Sequence, residues 1–151
     1  MKKTITKISF IAIMLCVVML AANCKKDETT TTPPADARDI FIGNFHMLDS
    51  VDVNNPWNPG YVAYSRDIVI SKNPTDASKI NIMNLYNEGY TVTASVSGSI
   101  FIIPNQQMGN MQGTSINGTG KFENNKLSYD YTYGNPGGNS HVKGIGTKFT
   151  K

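Results

Sequence analysis

The sequence predicts an all-β domain, an antiparallel up-and-down barrel of about eight strands, with a two-sheet β-sandwich as the alternative. Three observations lead there. Apolar and polar residues alternate with a period of two again and again from Ile40 to Thr150. No stretch of that region shows helical spacing. Clusters of Asn, Asp, Gly, Pro and Ser punctuate the alternation at hairpin intervals. A closed meander is preferred to a sandwich because closure removes unpaired strand edges.

The first strand, 40–53, opens on Gly43-Asn44-Phe45 and stops at Asn54-Asn55-Pro56-Trp57-Asn58-Pro59-Gly60, a loop stiffened by two prolines. The second, 61–71, ends at the turn residues Asn73-Pro74-Thr75-Asp76, and the third, 79–87, at Asn87-Glu88-Gly89. In the fourth, 90–97, Tyr90, Val92, Ala94 and Val96 alternate with Thr91, Thr93, Ser95 and Ser97, giving one apolar and one wet face. Ser97-Gly98 turns the chain into the fifth, 99–104. The sixth, 112–122, carries Gly118-Thr119-Gly120 and closes at Asn124-Asn125. In the seventh, 126–134, Leu127, Tyr129, Tyr131 and Tyr133 share a face, and Asn135-Pro136-Gly137-Gly138-Asn139 leads into the eighth, 140–150. The interior of an eight-stranded barrel is just large enough for side chains or one small ligand.

Upstream the composition changes. Lys2, Lys3 and Lys7 precede an apolar run from Ile8 to Ala22 broken only by Ser9, the layout of a signal peptide. A helix of that length covers about 22 Å, short of the roughly 30 Å of a bilayer core, so a leader is expected rather than a transmembrane anchor. Ala21, Ala22, Asn23 and Cys24 resemble the lipobox of bacterial lipoproteins. The resemblance implies a signal peptide over 1–23 and fatty acylation (palmitate-type) of Cys24, with the membrane as partner through that lipid. Cys16 leaves with the leader, so Cys24 has no disulfide partner. Cys24 with Lys25, Lys26, Asp27 and Glu28 resembles a lipoprotein export signal, which implies the cell envelope, the outer membrane and surface exposure. Residues 24–38 form a Thr/Pro tether reaching about 20 Å as a coil and about 50 Å fully stretched. Residues 39–151 suffice for one single-core domain.

The whole chain carries 14 basic and 11 acidic residues. Without the three leader lysines the count balances, and no basic run follows Lys26, which argues against a nucleic-acid partner.

Gly43-Asn44-Phe45 is similar to the Gly-x-Trp start of lipocalins, with Phe in place of Trp. The stretch Val96-Ser97-Gly98-Ser99-Ile100-Phe101-Ile102-Ile103-Pro104, then Gly118-Thr119-Gly120 and the tyrosine strand, extend the likeness. On these residues, 41–150 resembles the lipocalin-like (calycin-like) β-barrel domains of small Bacteroidetes-type lipoproteins. That resemblance implies a barrel in which a small molecule could bind.

Candidate sites follow from chemistry. Trp57, on its rigid loop, either stacks on a sugar ring or plugs one barrel end. Tyr129, Tyr131 and Tyr133, with Tyr61, Tyr64 and Tyr86, line a polar cavity if they face inward and make a sticky patch if they face outward; ordinary cross-strand packing also explains them. Gly118-Thr119-Gly120-Lys121 and Gly144-Ile145-Gly146 lack the further glycine and the helix of a phosphate cradle and are expected to curve the barrel. His46 and His141, with Asp49, make at most an incomplete metal site, and Asp49 and Asp52, three apart, face opposite ways. Asn117-Gly118-Thr119 fits a glycosylation pattern of little weight here. No nucleophile elbow and no domain cysteine is present. The expectation is a non-enzymatic envelope lipoprotein, without cofactor or metal, binding a small molecule or glycan. The alternatives are an interaction, scaffold or inhibitor module meeting an envelope protein and, last, an enzyme.

Overall fold

The computed structural model describes residues 36–53 and 60–150; the leader, Cys24, the Thr/Pro stretch and Trp57 lie outside the described residues. Eight strands follow one another: β1 (Gly43–Val53), β2 (Tyr61–Lys72), β3 (Lys79–Met83), β4 (Thr91–Ser97), β5 (Ile100–Gln106), β6 (Ser115–Glu123), β7 (Lys126–Asn135) and β8 (Gly138–Phe149). Each is antiparallel to the next, and β8 pairs with β1 from Asn44–Phe149 to Val53–Ser140, closing the barrel. The sandwich is excluded by that closure.

A closed sheet places alternate residues inside. Phe45, Met47 and Val51 of β1 therefore meet Ile68 and Ile70 of β2, Ile80 and Ile82 of β3, Val92 and Ala94 of β4, Phe101 and Ile103 of β5, and the Leu127–Tyr133 face of β7, all buried. Each such aliphatic or aromatic side chain contributes about 1.5–3 kcal/mol by leaving water. Side chains of these core residues occupy the described interior. Gly120 and Gly144 belong to that packing: a Cβ on the first would overlap the Phe101 ring, and on the second the Tyr129 ring and Asp49 Oδ1. They make room for rings.

The chain enters at the end that carries the β2–β3, β4–β5 and β6–β7 turns. Asp39 N–H donates to Asp36 O and Phe41 N–H to Arg38 O, both 2.9 Å, which folds Phe41 under the barrel. There it meets Phe101 edge-on at 5.5 Å and Phe122 at 6.3 Å, making an aromatic floor. Arg38 forks onto Asp36 and donates to the Asp76 carbonyl (3.2 Å), while Lys72 pairs with Asp36 and Asp39. Asp36, Ala37 and Arg38, assigned above to the tether, are thus described as part of this floor.

Two strands end two or more residues from the expected position. The third stops at Met83 because Asn84 adopts φ 66°, its N–H donates to Tyr90 O, and its side chain accepts from Gly89 N–H. The fifth runs past Pro104 to Gln106, with its register to β6 shifting between Ile103 and Gln106. β4 and β5 share three paired residues. Beyond them the Gln106 side chain stands in for backbone, accepting from Thr93 N–H (3.1 Å) and donating to Thr93 O (2.7 Å).

Candidate functional site

The opposite end, the mouth, carries the β1–β2, β3–β4, β5–β6 and β7–β8 connections. Leu85 and Met108, from two of these, are buried, and Tyr86 stacks on Tyr133 at 3.8 Å and 21°. Just inside lies a polar group in an otherwise apolar interior. Asp49 is 1% exposed, and Arg66 Nε lies 2.6 Å from its Oδ2, without the alignment of a hydrogen bond. Tyr129 O–H donates to Asp49 Oδ1 (2.6 Å). Arg66 Nη1 (2.9 Å) and Tyr131 O–H (2.7 Å) both donate to Leu85 O, pinning the β3–β4 connection to the wall. The guanidinium also lies 5.8 Å from the centroid of the Tyr86 ring, a cation–π contact.

Burial holds the Asp49 carboxyl above the usual carboxylate range, opposed by the Tyr129 hydrogen bond and the Arg66 charge. Burial likewise pushes the Tyr129 and Tyr131 phenols up, so both remain donors at neutral pH.

A cleft of about 220 Å³, lined by Val51, Tyr64, Arg66, Tyr86 and Asn87, opens above this group. Drug-sized pockets run to roughly 300–1,000 Å³, so this one has room for a single ring-sized group between tyrosines.

Of the residues picked from sequence, Tyr129 and Tyr131 are core, with hydroxyls committed to Asp49 and Leu85; Tyr133 reaches the mouth only through Tyr86. The tyrosine face points inward, so it is not an outward docking patch. Tyr64 lies at the cleft and is 49% exposed. His46 and His141 both sit on the outer wall and do not meet: in the β1–β8 register His141 pairs with Asp52, six residues along β1 from His46. Asp49 points inward, away from His46. Tyr64 and Tyr86, singled out with the other tyrosines, do line the cleft, whereas Arg66 was the residue that sequence reading passed over. A signal was present, because Arg66 shares the inward parity of Ile68 and Ile70, and Asp49 that of Phe45, Met47 and Val51. Opposite charges on the apolar faces of adjacent strands foretell a buried pair.

Comparison of the sequence with protein-family models and with curated proteins finds no match.

Proposed function

We propose that the protein is a lipid-anchored cell-envelope protein that binds a small molecule, or one ring of a glycan, at the barrel mouth. The leader that precedes Cys24 and the Thr/Pro tether support the anchor. The observation that carries the binding reading is the cleft itself: Tyr64 and Tyr86 flank a desolvated arginine at the end of the barrel away from the point where the chain enters. Aromatic faces stack on sugar or planar rings, and a buried guanidinium orients the polar edge of a ring with little reorganisation. The filled interior directs this reading to the rim.

Two measurements test it. Intact mass of the mature protein should show acyl chains on Cys24, and Cys24→Ser should move the protein from the membrane to the soluble fraction. Saturation-transfer NMR against monosaccharides and small aromatic acids should detect a ligand that Tyr86→Ala releases while the barrel spectrum is kept. A protein without acyl mass ends the anchor reading; a panel with no binder, or binding indifferent to Tyr86→Ala, ends the mouth reading.

A further inference from the structure

On the outer wall, β1 and β2 bring a serine, a histidine and a carboxylate into one hydrogen-bonded row. His46 stands opposite Asp67 in the β1–β2 register, and Ser65 is the next outward position of β2. His46 Nδ1 is 2.7 Å from Asp67 Oδ1, and its Nε2 is 2.8 Å from Ser65 Oγ. An ionised carboxylate can only accept, so Nδ1 carries the proton and Nε2 in the neutral ring accepts from the Ser65 hydroxyl. That is the tautomer in which imidazole can take a proton from serine. We propose that Ser65, His46 and Asp67 form an acyl-transfer site that hydrolyses short-chain carboxylic esters.

The surroundings supply the other parts. The β2–β3 ladder stops at Val69–Met83. The Asp67 carbonyl, which faces that side of β2, takes the Asn84 side-chain amide (2.9 Å) in place of a strand partner. Ser65, two residues away, faces the same edge beyond the last β2–β3 pair, and in the proposed reaction its N–H would donate to the oxyanion that develops on the attacked carbonyl's oxygen. Leu48 lies directly across from Ser65 and next to Ile145. They are 58% and 49% exposed and line, with His46, Lys126, Gly146 and Thr147, an outer groove of about 270 Å³. An acyl chain fits there against hydrocarbon. His141 has no comparable row: its Nε2 meets Asp130, and no serine reaches its other nitrogen among the described residues.

In the reaction, Ser65 Oγ attacks the ester carbonyl carbon while its proton passes to His46 Nε2. The bond from that carbon to the alkoxy oxygen then breaks as His46 returns the proton to it, and alcohol departs. Water attacks the acyl-Ser65 ester with His46 as base; the proton goes back to Ser65 Oγ and the carboxylic acid leaves. Asp67 acts as a positioning residue, holding the ring and offsetting imidazolium charge. The side chains of His46 and Asp67 are 62% and 49% exposed, so water screens these charges and the acceleration lies at the low end for such a triad.

The test uses the mature full-length protein, a fluorophosphonate probe with peptide mapping, and p-nitrophenyl butyrate turnover. The probe should add once, on Ser65, and Ser65→Ala should abolish both adduct and turnover. His46→Ala and the hydrogen-bonding His46→Gln should each lower kcat/KM on the order of a hundredfold. Asp67→Asn should lower kcat about tenfold with KM unchanged, since it touches the ring and not the substrate. Thermal unfolding of all four should match the parent, because the three side chains are exposed. No adduct on Ser65, turnover that survives Ser65→Ala, or His46 variants as fast as the parent would overturn the proposal.

Discussion

Asp49 and Arg66 give up water on both sides of a 2.6 Å contact, and their attraction offsets that loss only in part. Removing one partner leaves an uncompensated buried charge, so Asp49→Ala or Arg66→Ala should each cost about 3–5 kcal/mol in urea unfolding. Replacing both at once, Asp49→Leu with Arg66→Met, should unfold within about 1 kcal/mol of the parent. The pH dependence follows from the raised Asp49 pKa. Ionising a group whose folded pKa exceeds its unfolded value opposes folding, so the contribution is complete below the ordinary value of 3.8 and is lost as pH rises through the raised one. Measured against the doubly substituted protein, the parent should therefore lose ground as pH is increased above about 4. Constant relative stability across that window would show that Asp49 titrates normally.

The register is shortest, at three residue pairs, between β4 and β5, where Pro104 has no N–H to give and Gln106 closes the gap with its side chain. Gln106→Ala should leave Thr93 N–H and C=O without partners at a cost of about 1–3 kcal/mol. Amide exchange at Thr93 should accelerate before that of Ala94 in hydrogen-exchange NMR; uniform acceleration across β4 would instead mean global loss of stability. This is also where the sequence was least legible. Alternation is a local signal, and it marked Val92 and Ala94 or Leu127 to Tyr133 as one face without any knowledge of partners. The strand stop at Asn84 was hidden, because asparagine's tolerance of positive φ does not disturb the pattern of Ile80 and Ile82. The polar group at the mouth was hidden for a related reason. Asp49 pairs in register with Tyr64 and Arg66 with Met47, so their meeting is diagonal and depends on a register that no alternation states. The tyrosine hydroxyls drew attention as free donors, whereas their partners, Asp49 and the Leu85 carbonyl, lie 80 and 46 residues away.

Seven of the eight pairings join strands adjacent in sequence; the eighth, β1 with β8, spans the domain and makes a curled sheet into a barrel. Truncation after Gly138 would remove β8 and bare the facing edges of β1 and β7, each paired over ten residues. Such a chain should elute as dimers or larger species in size-exclusion chromatography; a stable monomer would show that closure is dispensable. The same closure has a practical corollary. Since Asn44 lies opposite Phe149, the described chain starts and finishes at the aromatic floor. A biotin handle fused behind Lys151 would therefore hang from the underside, and a sensor chip coated through it would display the Tyr64 and Tyr86 rim to the flowing analyte.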